Sequence, residues 1–308
     1  MPPVGPRIVL TTCIAALLGV TVLAVPRTRA VLASVGQHAE SAAAVTAPST
    51  DPSPTPSAQI IAQPAPPEPN LQAPANPASI QPPGKPSFFG WAFLDRRTNQ
   101  VVGSANAASG TDSTESMIKA WIAADYLRTH NPSQTALSEI TLMIIDSNDD
   151  LAEKYYDLDG TNAVVQRLIS MCGLTGTKIV PYYWARTTMT PQDAVRYGNC
   201  VGTGTAAGPT WTTWLLNTMR NVRGGVQDQI STQKQGGRWG IIDGLPANLA
   251  SQTSIKNGFT EYVDGWHVNC LAIEKDWILN VMVRIGTLQQ AADVCKSVAQ
   301  QLVVTPQT

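Results

Sequence analysis

Charge and histidine are both scarce in this chain. Of 308 residues only 14% are charged, with 21 lysines and arginines against 22 acidic residues, for a net charge of −1. That balance excludes nucleic acid as the main partner, because phosphate binding needs a basic footprint. The three histidines, His38, His130 and His267, are scattered, so neither a zinc site nor a Ser-His-Asp triad assembles from them. No metal and no cofactor is therefore expected. Cysteine is limited to five residues, none in a CxxC pair, which argues against a redox or metal motif. The glycines of "GTGTAAG" (202–208) lack the Gly-Lys-Ser/Thr that completes a phosphate loop. "DSNDD" (146–150) alternates acids like a calcium loop, but Leu151 stands where such a loop turns on glycine, and its closing glutamate is missing. No internal repeat is present.

What the chain has is an uneven layout. Residues 8–25, "IVLTTCIAALLGVTVLAV", form an uncharged run behind Arg7, at the lower limit for spanning a bilayer. Residues 1–30 are read as a signal peptide or membrane anchor, which predicts an exported protein, either anchored or secreted into the cell envelope. From Pro48 to Pro86 lie 13 of the 23 prolines and only three charged residues. Such a composition buries too little to fold, so 31–86 is read as an extended spacer. The folded domain is then placed at 87–308. Its four cysteines, Cys172, Cys200, Cys270 and Cys295, suit two disulfides in an exported protein. Three pairings are possible; Cys172–Cys200 and Cys270–Cys295 are favoured, because each joins segments that lie close if the C-terminal helix packs on a sheet.

Periodicity predicts a hairpin over 87–106 and helices at 114–129, 136–146, 149–157, 161–172, 191–200 and 210–222. Strands follow at 251–259, 265–273 and 276–285, with a closing helix near 287–303. Two strands, many helices, three strands and one helix predict an α+β fold: one mixed sheet built from both chain ends, with a helical region inserted.

Inside this layout "DSTESMIKAWIAADYL" (112–127) puts Lys119 into a helix that is apolar on nearly every face, with only Asp125 and Arg128 suggesting a solvent side. Asp112, Ser113 and Thr114 are expected to cap it. Ser116 and Lys119 are i and i+3 neighbours, and burial lowers a lysine's pKa, so the pair reads as a nucleophile with its base. Ser147 sits at a helix-to-helix turn, as a second hydroxyl or a simple cap. Lys256-Asn257-Gly258 lies on an expected strand, as an anion-binding group or a hairpin turn.

Ser-x-x-Lys, then a serine in the helical region, then Lys-x-Gly on a late strand resembles the ordered motif set of penicillin-recognising serine enzymes. The chain is similar to the class A β-lactamase and penicillin-binding-protein superfamily over about 87–304. "TTMTPQDAVRYG", "WGIIDGLP" and "WHVNC" also resemble actinobacterial envelope proteins of the LppW type. The resemblance implies a β-lactamase/transpeptidase-like fold. It implies Ser116 as acyl-accepting nucleophile, Lys119 as its base, Ser147 as proton relay, and Lys256 as carboxylate binder. Asp149, Asn257, Gly258 and Phe259 complete the substrate-binding set, with the Ser116 and Phe259 N–H groups as oxyanion hole. Peptidoglycan-type peptides or β-lactams are the implied small-molecule partners. Two departures stand out: Asp149, an acceptor-only carboxylate, replaces the usual asparagine, and no glutamate occurs between Cys172 and Pro191 to activate a deacylating water. Slow deacylation follows, or a degenerate protein that binds a cell-wall peptide or a protein.

Overall fold

The computed structural model describes residues 68–232 and 236–304. The apolar run at 8–25 and most of the proline-rich stretch lie outside them; among the described residues no helix is long and apolar enough to cross a membrane.

The chain enters as a short strand, β1 (Asn70–Leu71), followed by a 3-10 turn at Pro77–Ser79. Next come the hairpin β2 (Phe88–Asp95) and β3 (Gln100–Gly103), and the two-residue strand β4 (Asp112–Ser113). A 3-10 turn at Glu115–Ile118 leads into α1 (Lys119–Thr129), then α2 (Gln134–Ile145), α3 (Asp149–Leu158) and α4 (Asn162–Cys172). β5 (Thr188–Met189) pairs with β4 and precedes α5 (Pro191–Gly202), α6 (Gly208–Arg220) and α7 (Val226–Thr232). A 3-10 segment at Gly240–Gly244 and α8 (Ala247–Gln252) lead to β6 (Ser254–Ile255), β7 (Gly258–Tyr262), β8 (Gly265–Ile273) and β9 (Trp277–Ile285). The chain closes with α9 (Leu288–Leu302) and β10 (Val303–Val304).

The main sheet runs β3-β2-β9-β8, with β6 and β7 sharing the outer edge of β8 and every pairing antiparallel. It is therefore assembled from both chain ends, as expected, because β2 from the N-terminal side lies against β9 from the C-terminal side. α9 and the 240–244 segment pack on one face; α5 covers the other and carries the helical layer. Two disulfides tie these layers. Cys172–Cys200 joins the ends of α4 and α5, and Cys270–Cys295 joins β8 to α9.

Three expectations need correction. The folded unit begins before residue 87: β1 pairs with β10, Leu71 and Ile80 are buried, and the Trp277 indole N–H donates to Asn70 at 3.0 Å. Burying each of those two aliphatic side chains contributes about 2 kcal/mol, enough to hold a proline-rich segment that has no regular pattern of its own. Asp125 is not on a solvent side but fully buried, accepting from Arg167 Nη2 at 2.5 Å and from Arg128. And 251–259 is not one strand, since 251–252 end α8 and the ladder is interrupted at Lys256-Asn257.

Candidate active site

The turn that holds Ser116 is not capped as expected. Asp112 and Ser113 belong to β4, and the Asp112 carboxylate is held by Arg284 (3.1 Å) and His267 (2.9 Å) from the sheet. Thr114 makes no side-chain cap, and the backbone instead tightens into the 3-10 turn 115–118, fixed by Tyr197, whose hydroxyl donates to the Met117 carbonyl at 3.0 Å. Ser116 is half-buried at its centre. Its N–H goes to no backbone carbonyl among the described residues, and the Ser113 carbonyl one turn back accepts from the Asn269 amide.

Lys119 opens α1, which threads the middle of the helical layer against α2 to α6, so its side chain is sealed. The amine does not turn to Ser116. It donates to the Ser147 carbonyl at 2.5 Å, to Ser147 Oγ at 3.1 Å, and to the Asp149 carboxylate. Ser147 has left-handed backbone (φ 55) between α2 and α3, a conformation that costs a non-glycine residue about 1 kcal/mol or more. The capping of α3 falls to Asn148, which accepts the Leu151 N–H at 2.9 Å, and this leaves the Ser147 hydroxyl for the lysines. The Lys256 amine reaches the same oxygen at 2.8 Å. One hydroxyl thus joins two buried amines, and both sequence motifs meet on it.

Both amines lie below the ordinary lysine range. Burial pulls Lys119 down, opposed by the Asp149 carboxylate and more weakly by Glu115. Burial and then the neighbouring Lys119 charge push Lys256 well below its usual value. Two ammonium groups on one oxygen in a dry site repel each other, so a neutral amine is favoured here.

The opposite wall is the sheet edge. The Lys256 N–H donates to the Leu271 carbonyl, which makes Lys256, Gly258 and Thr260 the hydrogen-bonded partners of β8 and turns the N–H of Phe259 outward. A β-carbon on Gly258 would fall 2.9 Å from the Ser116 nitrogen and 2.6 Å from that of Met117. Glycine here lets β7 press against the 3-10 turn, bringing the outward Phe259 N–H to the side where the Ser116 N–H is free. Gly258, expected in the substrate-binding set, thus admits the protein's own backbone. Asn257, on the other face of the strand, is buried and donates its amide to the Gly237 and Trp239 carbonyls, 2.9 Å each. It clasps that segment and does not face Ser147. Lys256 has 0% exposure, so it touches the site through Ser147 and offers no free ammonium to a substrate carboxylate.

Two residues were not legible beforehand. Glu115 has φ 47 and a buried carboxylate that accepts from Ser113 Oγ (2.5 Å), Thr260 Oγ1 (2.6 Å) and the Tyr262 hydroxyl (2.9 Å), lacing the Ser116 turn to β7. Trp184, from the stretch without glutamate, lies with its ring 5.2 Å from the Lys119 amine, its indole N–H donating to Glu153 at 2.7 Å. In that stretch it is an apolar ring, not an acid, that faces the Lys119 amine. Among the described residues no cluster could hold a metal ion.

Comparison with known proteins bears on the fold. No family model matches the chain. LppW of Mycobacterium tuberculosis and of Mycobacterium bovis, whose name classes it as a lipoprotein, is 28% identical over 176 residues, 54% of this chain and 52% of LppW. The chain spans about half the length of these curated relatives. Among solved structures, an ancestral class A β-lactamase of Gram-negative bacteria aligns with a TM-score of 0.53 at 14% identity, over 69% of this chain and 92% of that one. PBP-A aligns with a TM-score of 0.51 at 14% identity, over 69% and 87%. The chain therefore has the fold of the class A β-lactamases and of PBP-A, and is similar in sequence to LppW.

Proposed function

We propose that this protein is an envelope serine acyl-enzyme former, acting on peptidoglycan-type peptides or β-lactams and releasing the acyl group slowly. The observation that carries the reading is the convergence of Lys119 and Lys256 on Ser147 Oγ, beside a half-exposed serine on a turn with a free N–H. In the reaction Ser116 Oγ attacks the substrate carbonyl while its proton passes to the neutral Lys119 amine, which must first leave Asp149. The carbonyl oxygen, now an anion, is received by the Ser116 and Phe259 N–H groups, each such donor being worth about 10²–10³ in rate. As the carbon–nitrogen bond breaks, Ser147 gives its proton to the leaving amine and is reprotonated by Lys119. Release of the acyl group needs a base-activated water; the Trp184 ring over Lys119 and the lack of a glutamate between Cys172 and Pro191 make that step slow. The LppW name supports an envelope location, with residues 1–30 as leader or anchor.

Labelling of the full-length protein with a fluorescent penicillin tests this. A stable adduct in the wild type that is lost in Ser116→Ala is expected, and no Ser116-dependent adduct after prolonged exposure refutes it.

A second reading, a module that binds a cell-wall peptide or a protein without reacting, draws on one observation. The Lys119 amine is engaged by Asp149, and Ser116 Oγ has no hydrogen bond among the described residues. Affinity for muropeptides that survives Ser116→Ala, with no adduct in the wild type, favours it.

A further inference from the structure

The geometry points to a carboxylate-binding subsite on the acyl side of the site, formed by Arg186 held between the rings of Tyr183 and Tyr262. It rests on the acyl-enzyme reading for its direction along the sheet edge. Ser147, the proton donor to the leaving group, is attached to the Lys256 end of the edge strand. A carbonyl seated at the Phe259 N–H therefore sends its acyl part the other way, toward Tyr262, about 10 Å along the strand.

At that end stands an exposed cation without a counter-ion. The Arg186 guanidinium lies 5.8 Å from the Tyr183 ring and 5.5 Å from the Tyr262 ring, and no ion pair engages it among the described residues. The Glu115 carboxylate in this corner is not bonded to the guanidinium: one oxygen accepts from Ser113 and Tyr262, the other from Thr260. Glu261, next along the strand, points to the opposite face. Two rings fix the guanidinium in place, which reduces the ordering cost of binding. Its planar fork matches a carboxylate.

The loop that carries it is held in an unusual conformation. Tyr182 takes φ 61, rare for a bulky residue, with its N–H on Asn162 Oδ1 at 2.9 Å; the same oxygen accepts the Tyr156 hydroxyl at 3.0 Å. Tyr182 and Tyr183 remain 70% and 61% exposed. Strain kept by such anchoring, with aromatic rings turned to solvent beside an unpaired arginine, fits a ligand clamp. Lys256, sealed and engaged with Ser147, does not compete for this group.

The test uses full-length Ser116→Ala, which forms no adduct, titrated by calorimetry with benzylpenicillin and with its α-carboxy derivative, which differ by one acyl-side carboxylate. The carboxylated compound is expected to bind about fivefold tighter, the scale of a well-held surface ion pair, and Arg186→Gln in the same background should erase the difference. Equal affinities, no binding of either compound, or a preference that persists in Arg186→Gln overturns the subsite. The acyl-enzyme reading is judged separately, by the mass of wild-type adducts: a carboxylate preference without any adduct leaves the subsite standing and removes the enzyme, and adducts without preference do the reverse.

Discussion

The two ends of helix α1 bury charge in opposite ways. At its C-terminal end the buried Asp125 carboxylate receives Arg167 and Arg128, and His130 Nδ1 lies 3.3 Å from nearby Asp159. Two guanidinium groups there answer the Asp125 charge. At its N-terminal end, about 9 Å away along the axis, two buried amines share one hydroxyl, and the carboxylate that Lys119 meets, Asp149, has a side chain 76% exposed. Compensated charge at one end holds helices together; under-compensated charge at the other keeps an amine poised to take a proton. A single helix thus separates a paired carboxylate from an under-compensated pair of amines.

The largest effect expected from breaking this contrast is at the structural end. Arg167→Ala leaves Asp125 buried with half its partners, and should lower the unfolding free energy by about 3 kcal/mol. Urea denaturation measures it, and a loss under 1 kcal/mol would remove the distinction between the two ends. Next, Lys119→Met at the N-terminal end should abolish penicillin labelling yet leave the fold as stable or about 1 kcal/mol more stable, since an apolar isostere replaces a buried polar amine whose charged form burial disfavours. A marked loss of stability would assign Lys119 to the framework. The smallest effect concerns Asp159, whose carboxyl is pushed up to about 6 by burial and then by the Asp125 charge. A carboxyl raised in the folded state favours folding below its unfolded value near 3.8, and that contribution is lost as pH rises through about 6. Asp159→Asn, which cannot ionise, should therefore gain on the wild type between pH 4 and 7, by about 2–4 °C in melting temperature per kcal/mol relieved. A difference that does not change with pH would contradict it.

Much of this was readable from local pattern, and the failures share one cause. Helices such as α3, α4 and α9 have strong apolar periodicity and fall within a few residues of expectation. Motif order singled out Lys119, Ser147 and Lys256, though not that both amines meet on the Ser147 hydroxyl, and the expected packing of the C-terminal helix on the sheet gave both disulfides. What escaped depends on contacts distant in sequence. Glu115 is given its role by Thr260 and Tyr262, 145 and 147 residues away. Asp112 reads as a helix cap until Arg284 and His267 claim it. Leu71 and Ile80 sit in proline-rich sequence whose order comes from pairing with the far end of the chain. Gly258 was singled out correctly, but the backbone it admits is that of the 3-10 turn.

The account turns on a neutral Lys119 amine as the base, restrained by Asp149. Its most direct test is the rate of Ser116 acylation by benzylpenicillin against pH, in the wild type and in Asp149→Asn. Because the neutral amine reacts, the rate should rise with pH to a midpoint below the ordinary lysine value of 10.5; because Asp149 raises the Lys119 pKa, its removal should move that midpoint to lower pH. Superimposed profiles, or a rate that does not change with pH, would contradict it.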